Sequence, residues 1–179
     1  MTVFTEEKIA EVFLELLDEK PLNKITIIDI SKACKINRNT FYYHYKNIPD
    51  LIESIIKQKV DSLIEKYPNI TSLEECLTIA INFAKENQRA IRHIYSSSSR
   101  TIFEQHLWRL CEYAVSNYLN SLPEKNLLKK EDISVLIDFY KCECFGFVIN
   151  WLNSGMPTDV TKKIKRLKNL RKHFKMPNF

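Results

Sequence analysis

The scarcity of glycine is the feature that most constrains the fold of this chain. The sequence contains 2 glycines among 179 residues, where ordinary composition of ~7% would give about 12. Hairpin turns and β-bulges use glycine to reach positive φ, so a chain this poor in glycine is badly suited to a β-rich fold. Gly146 and Gly155 also stand alone, which excludes a glycine-rich phosphate loop. We therefore predict an all-α protein.

Apolar residues recur at helical spacing along the chain, and capping residues and prolines mark the ends of the helices. The pattern predicts an N-terminal three-helix domain over residues 1–48 and a larger helical regulatory and dimerisation domain over residues 49–179. The individual helices are predicted at 5–19, about 27–34, 38–45, 49–67, from 73 onward, about 101–122, about 131–153 and 159–174.

Cysteine usage and hydropathy indicate a cytoplasmic protein. The 5 cysteines are an odd number without paired spacing, which suits a reducing compartment. No run of about 18 apolar residues predicts a membrane span. The first residues, MTVFTEEKIAEVF, are acidic and amphipathic, unlike a signal peptide. We expect no membrane association and no cofactor.

Two short helices near the N-terminus are joined by about three residues, Lys35 to Asn37. Thr26 followed by Asp29 predicts a capping box at the start of the first helix, and Asn37 is a suitable cap for the second. Helices joined this tightly form a helix-turn-helix, whose second helix fits the major groove of DNA.

The distribution of charge supports this interpretation. Residues 1–30 hold three lysines against seven acids, whereas residues 31–49 contain Lys32, Lys35, Arg38 and Lys46 and no acid. Positive charge is therefore concentrated where a phosphate backbone would lie. At the start of the second helix, Asn39 is suited to pair with adenine and Arg38 with guanine.

The segment INRNTFYYHYKN, residues 36–47, is rich in aromatic residues. Phe41 and Tyr45 are four residues apart on one helix face and are predicted to be core. Tyr42, Tyr43 and His44 are then predicted to face outward, where a tyrosine hydroxyl can reach a phosphate.

The stretch TIIDISKACKINRNTFYYHYKNIPDL, residues 26–51, resembles the DNA-binding signature of the TetR family of bacterial transcription regulators. WLNSGMP, residues 151–157, is weakly similar to family members near dihydroxyacetone-kinase operons. The sequence departs from the family pattern at Ile28 and Ile48, where many members are basic, and at Lys35 and Asn39, where glycine is common. The resemblance implies a homodimer with a ligand cavity and DNA contacts from Thr26, Asn37, Thr40, Tyr42, Tyr43, His44 and Lys46.

Three sets of site residues follow. With the basic turn and helix start added, the predicted DNA-binding set is Thr26, Lys35, Asn37, Arg38, Asn39, Thr40, Tyr42, Tyr43, His44 and Lys46. Aromatic side chains of the middle helices are candidates for a small-molecule effector site: Phe83, His93, Phe103, His106, Trp108, Tyr113 and Tyr140. An apolar belt too wide for one helix face predicts a dimer interface: Phe139, Phe145, Phe147, Ile149, Trp151, Leu167 and Leu170.

Other candidate sites have plainer interpretations. Cys142 and Cys144 point about 200° apart on a helix and are interpreted as buried small residues. His93 and His106 lack metal-ligand spacing. The loop SSSSR, residues 96–100, is read as solvated, although it could hold an anion, and the basic C-terminal run is read as a solvated face.

We consider three functions. The first is a ligand-responsive TetR-type repressor that binds a palindromic operator as a dimer. The second is a TetR-like coregulator that does not bind DNA alone and acts through a protein partner. The third, an enzyme, is disfavoured because no catalytic triad order, metal spacing or carboxylate pair is present.

Overall fold

A computed structural model describes residues 2–70, 72–123 and 128–173, with side chains from residue 5 to residue 170 within those ranges. The described residues form helices joined by short connections and contain no strand. The α-helices are α1 (Thr2–Glu19), α2 (Ile27–Cys34), α3 (Arg38–His44), α4 (Ile48–Lys66), α5 (Leu73–Glu86), α6 (Gln88–Tyr95), α7 (Arg100–Ser121), α8 (Lys130–Asn153) and α9 (Val160–His173), with a 3-10 turn at Leu22–Lys24.

The prediction of an all-α fold is confirmed. The long penultimate helix, predicted at about 131–153, is Lys130–Asn153. The sequence did not predict the break at Asn87, where α5 ends and α6 begins with a backbone turn at φ −112° and ψ 27°. None of the described helices is long and apolar enough to cross a membrane.

The packing divides the chain into two compact units, Met1–Leu63 with Asn87–His106 and Ile64–Glu86 with Leu107–Phe179. These packing units do not coincide with a division at residue 48, since a segment containing α6 joins the N-terminal helices. The functional boundary at residue 48 stays a prediction.

The first unit has a core built from the inward faces of α1 to α4. Phe13 of α1 and Phe41 of α3 are fully buried, and Ile94 of α6 joins the same cluster. Burying one large apolar side chain contributes about 2 kcal/mol, so this cluster fixes α3 firmly against its neighbours.

The second unit contains a row of polar side chains on α7, spaced four residues apart. The Tyr113 hydroxyl donates to the Ile64 carbonyl at 3.3 Å. Asn117 donates to the Pro68 carbonyl at 2.6 Å and accepts from the Ile70 amide at 3.0 Å. Ser121 donates to the Ile70 carbonyl at 3.4 Å. These bonds attach the chain leaving α4 to α7 and satisfy its backbone polar groups.

The WLNSGMP segment, residues 151–157, forms the turn at the end of α8. The indole N–H of Trp151 donates to the Pro157 carbonyl at 3.0 Å. Gly155 and Met156 both have positive φ, 80° and 59°, and the Met156 side chain is buried. The segment is therefore a tight turn that ends α8 and folds back on its own tryptophan.

Candidate nucleic-acid interface

Local hydrogen bonds set the start of α2 as the sequence predicted. The Thr26 hydroxyl accepts from the Asp29 amide at 3.2 Å and donates to the Asp29 carboxylate at 2.8 Å, and the Thr26 amide donates to the same carboxylate at 2.9 Å. The side-chain bond from Thr26, with further help from the Thr26 amide and Lys20, lowers the pKa of Asp29 to about 2. The predicted capping box is confirmed.

The turn between α2 and α3 is held by its backbone. Lys35 adopts the left-handed conformation, with φ 58° and ψ 39°, and the Ile36 amide donates to the Ser31 carbonyl at 3.0 Å. Asn37 then caps α3 by accepting from the Thr40 amide at 2.8 Å. Lys35 thus occupies a position with positive φ, where glycine is the usual residue because glycine has no Cβ.

The aromatic side chains of α3 separate cleanly between two faces. Phe41 is 0% and Tyr45 6% exposed, whereas Tyr42 is 55% and Tyr43 76% exposed. The predicted orientation of these four rings is confirmed. Their contact with DNA stays a prediction.

The structure corrects the predicted orientation of His44. Its side chain is only 5% exposed, and its Nδ1 lies 3.0 Å from a carboxylate oxygen of Glu6 on α1. The prediction that His44 faces outward is wrong, because this polar pair places the ring between the end of α3 and the start of α1. The sequence could not predict this contact, since Glu6 and His44 are thirty-eight positions apart and form no local pattern.

The remaining predicted contact residues lie at the surface of this region. Lys35, Asn37, Arg38, Asn39 and Lys46 are exposed, and Thr40 is half-buried. Asn37 and Thr40 have a second role, since the Thr40 hydroxyl also donates to the Asn37 side-chain oxygen at 3.2 Å. Ile28 of α2 is 46% exposed, so an apolar side chain lies on this surface.

The predicted effector residues are divided between the two units. His93, Phe103 and His106 belong to the first unit, and Phe83, Trp108, Tyr113 and Tyr140 to the second. Within the second unit, Trp108 contacts Phe145 edge-to-face at a centroid distance of 5.1 Å. Phe103 also pairs with Tyr95, and Tyr140 pairs with Phe139. Ligand binding by any of these residues stays a prediction.

Lys141 is a buried cation that sequence reasoning missed. Its side chain is 9% exposed, and its Nζ lies 2.9 Å from Asp138 and 3.6 Å from Glu112. The same Nζ is 4.8 Å from the centroid of the Trp108 ring. The hydrogen bond that Lys141 donates to Asp138 raises the pKa of Lys141, so the residue is a charged link between α7 and α8. The available signal was a lysine inside the apolar run FYKCECF.

The residues predicted to form the dimer interface differ in their exposure. Phe139 is 53% and Leu170 36% exposed, and neighbouring Val135 is 68% exposed. Phe145, Phe147, Ile149 and Leu167 are half-buried. The prediction for Trp151 is corrected, because its side chain is 3% exposed and its indole N–H is hydrogen-bonded within its own chain. Its place in an interface between chains was predicted wrongly.

The two cysteines of the C-x-C pair differ from each other. Cys144 is buried as predicted, but Cys142 is exposed, so its predicted burial is wrong. Burial raises the pKa of the Cys111 thiol, and electrostatic interaction with Cys144 raises it further. Within the described ranges, no group of three or more metal-binding side chains occurs.

Comparison with known proteins places this architecture. Residues 71–173 match a TetR-type family described as "Transcriptional regulator C-terminal region". The dhaKLM operon transcriptional activator DhaS of Lactococcus lactis subsp. lactis is 26% identical over 94 residues, which are 52% of this chain and 50% of that protein. The uncharacterized HTH-type regulator YxbF of Bacillus subtilis is 37% identical over 79 residues, 41% of this chain and 21% of that protein. The chain thus spans half or less of these curated relatives.

Two solved structures share the fold. A structure of the dihydroxyacetone kinase operon activator DhaS has a TM-score of 0.72 at 19% identity and covers 94% of both chains. The fatty acid degradation regulator FadR from Bacillus halodurans has a TM-score of 0.63 at 16% identity and covers 93% of both chains. The family match covers more than half of the sequence, and the chain therefore belongs to the TetR family of helix-turn-helix transcriptional regulators.

Proposed function

We propose that this protein is a ligand-responsive cytoplasmic repressor that binds a palindromic operator as a homodimer. The observation that carries the proposal is the outward surface of α2 and α3. Tyr42 and Tyr43 are more than half exposed, beside four exposed cations, and no acid occurs between residues 31 and 49. Such a surface suits a polyanionic backbone.

The contacts fall into two classes. Tyr42, Tyr43 and the exposed lysines are suited to phosphates, which set affinity and position. Arg38 and Asn39 occupy the first turn of α3, the end that enters the major groove, and are suited to base edges.

A footprinting series with the region upstream of the gene tests this assignment. Tyr42→Phe should weaken binding to all sequences similarly, and Asn39→Ala should relax base choice. Tyr45→Phe is the matched control, because it removes the same hydroxyl from a ring on the buried face of the segment. Binding unchanged by Tyr42→Phe and Asn39→Ala would show that α3 is not the recognition helix.

Dimerisation is proposed through α8 and α9. Val135 and Phe139 are four residues apart and form an exposed apolar strip on α8, which a two-fold partner would cover. Light scattering at micromolar concentration should give twice the chain mass of 21.2 kDa. Phe139→Glu should shift the protein towards monomer, whereas Gln58→Glu, at an exposed position of α4, should not. A monomeric wild type would contradict the proposal.

Ligand response is proposed to travel along α4, which is one continuous helix of 19 residues. A small molecule near Trp108 or Tyr113 releases DNA only if it binds one conformation better than the other. A coupling of about 1–3 kcal/mol, roughly 5- to 150-fold, is usual, and it must be reciprocal. Calorimetry of a candidate ligand with and without operator DNA tests this. Equal affinity in both would mean that the ligand is not an inducer.

Exposed Ile28 favours a second candidate, a coregulator that acts through a protein partner, because an apolar residue stands beside the predicted DNA surface. A gel shift with purified protein alone separates the two functions. A reporter gene then gives the direction of control, since repression predicts higher expression when Tyr42→Phe weakens binding. The relative DhaS is named as an activator, which makes this measurement informative.

A further inference from the structure

The first unit contains a cleft that the predicted DNA and dimer surfaces do not use. Its volume is about 440 Å³, within the usual range for small-molecule sites. The apolar residues of its lining are Pro21, Leu22, Ile48, Pro49 and Ile52. The polar wall consists of the polar lining residues, Asn23, His93 and the four serines 96–99.

Ser99 is the unusual member of the polar wall. It is 3% exposed, and its backbone is bonded, since its amide donates to the Ser97 hydroxyl at 3.1 Å and its carbonyl accepts from the Phe103 amide at 3.2 Å. Its own hydroxyl has no hydrogen-bond partner among the residues that the structure describes. The Ser99 hydroxyl still keeps some accessible surface, since Ser31 Oγ is the fully buried side-chain polar atom without a partner among the described residues. The segment predicted to be a solvated loop therefore contains a largely buried serine whose hydroxyl is free to accept or donate a hydrogen bond.

Most of the other polar groups of this wall are also uncommitted. Ser97 donates its hydroxyl to the Ile94 carbonyl at 2.6 Å. Within the described part of the chain, the side chains of Asn23, His93, Ser96 and Ser98 make no hydrogen bond. Hydroxyls, an amide and an imidazole can both donate and accept, so this wall can bind hydroxyl or carbonyl groups.

The lining carries no acid, lysine or arginine. A charged ligand would lose its hydration without gaining an opposite charge. We propose that this cleft binds a small uncharged molecule with hydroxyl or carbonyl groups on one side and a hydrocarbon face on the other. The hydrocarbon face packs against the two prolines and the leucine and isoleucine side chains, and the polar side bonds to Ser99, His93 and the neighbouring serines.

The position of the cleft gives binding a consequence, which rests on the proposed DNA-binding function. Ile48 and Pro49 form the first turn of α4, two residues after Lys46. The Lys46 amide donates to Asp50 at 2.8 Å, and the Asp50 amide donates to Asn47 at 2.9 Å. A ligand seated against this turn therefore contacts the segment that follows the recognition helix, within the same unit.

The test uses the full chain without DNA, so its outcome is independent of operator binding. Amide NMR spectra are recorded during titration with trans-1,2-cyclohexanediol, and with cyclohexanecarboxylate as a charged probe of similar size. The diol should shift the amide signals of Ser96 to Ser99, Ile48 and Ile52 and should bind more tightly than the carboxylate. Absence of diol-dependent shifts at these amides, or tighter binding of the carboxylate, would overturn the proposal.

Two serine variants make the test specific. Ser99→Ala should lower diol affinity roughly three- to tenfold, the usual loss for one neutral hydrogen bond. Ser31→Ala is the matched control, because Ser31 is also buried in the first unit with an unpartnered hydroxyl but does not line the cleft. Unchanged affinity in Ser99→Ala, or an equal loss in both variants, would refute the assignment. If Ser99→Ala fails to fold, Ser98→Trp at the exposed rim should abolish the shifts, and persisting shifts would contradict the site.

Discussion

Helices α3 and α8 are both rich in aromatic residues, but the buried and exposed phenylalanine and tyrosine rings could be predicted from the sequence only around α3. In α3 the helical period separates buried Phe41 from Tyr43, which is 76% exposed. In α8 the larger apolar residues do not mark the core, since Phe139 is 53% exposed and Trp151 is 3% exposed.

The difference lies in what each buried face is made of. The residues that α8 buries lie three or four positions apart, as one helix face requires, except for the adjacent last two. They include a lysine and a cysteine: Lys141, Cys144, Val148, Trp151 and Leu152. The exposed side holds Val135 and Phe139. Hydrophobicity therefore identifies the buried face of α3 and misidentifies part of α8, because Lys141 is neutralised by two carboxylates and a second surface of α8 is apolar.

The largest effect expected from this comparison comes from removing one aromatic ring from each helix. Phe41→Ala should lower the free energy of unfolding by about 3–5 kcal/mol, because the ring is fully buried. Phe139→Ala should cost less than about 0.5 kcal/mol in the monomer and show a larger effect only where dimer forms. Urea denaturation at several protein concentrations measures both. Equal losses at all concentrations would remove the distinction between the helices.

A smaller effect is expected at the end of α8. Trp151→Phe keeps most of the buried ring but leaves the Pro157 carbonyl without its donor, which should cost about 1–3 kcal/mol. Trp108→Phe is the control, because the Trp108 indole N–H donates no hydrogen bond to any described residue. Thermal unfolding followed by circular dichroism compares them, and a larger loss in Trp108→Phe would be evidence against the proposed role of the turn.

The capping box at the start of α2, which the sequence predicted, gives a third prediction. Thr26→Val removes the hydroxyl from the capping box and should destabilise the first unit by about 1 kcal/mol. Because the Thr26 hydroxyl is the largest cause of the low pKa of Asp29, that pKa should rise from about 2 towards 3.8.

The sign of the pH effect follows from the same bond. The folded pKa of Asp29 lies below its ordinary value, so the stability it contributes is present above pH 3.8 and is lost as pH falls through about 2. Carboxyl NMR titration of wild type and Thr26→Val measures the shift. An unchanged Asp29 pKa in the variant would show that another group sets it.

The smallest expected effect concerns the turn before α3. Lys35→Gly should stabilise the protein by about 0.5–1 kcal/mol, because the left-handed backbone at φ 58° is strained for a side chain with a Cβ. Under the proposed function the same change should weaken DNA binding slightly, since one cation is lost. Lys32→Gly, in the helical part of α2, is the control and should destabilise. Stabilisation by both changes would argue against backbone strain at Lys35.

The fold was predictable wherever a local signal decided the structure. The Thr26 and Asn37 caps, Pro49 in the first turn of α4 and the length of α8 all depend on residues close in sequence. The contact of His44 with Glu6 and the ion pair of Lys141 with Glu112 join residues that are distant in sequence. No local sequence pattern could therefore predict them.

The candidate site was predictable to the same degree. Helical period and charge located the exposed tyrosines of α3 and the cations in and around it. The cleft beside α4 could not be predicted, because its walls come from three separated stretches, 21–23, 48–52 and 93–99. Ser99 looked like part of a solvated serine loop, and only the packing shows that the residue is 3% exposed.

The placement of the two tryptophans has a spectroscopic consequence. The chain has 2 tryptophans, Trp108 and Trp151, and both belong to the second unit. Intrinsic tryptophan fluorescence therefore follows the second unit, whereas far-ultraviolet circular dichroism follows the helices of both. During denaturation, coincident curves would indicate a single cooperative transition. Separated curves would give the order in which the units unfold, without any label.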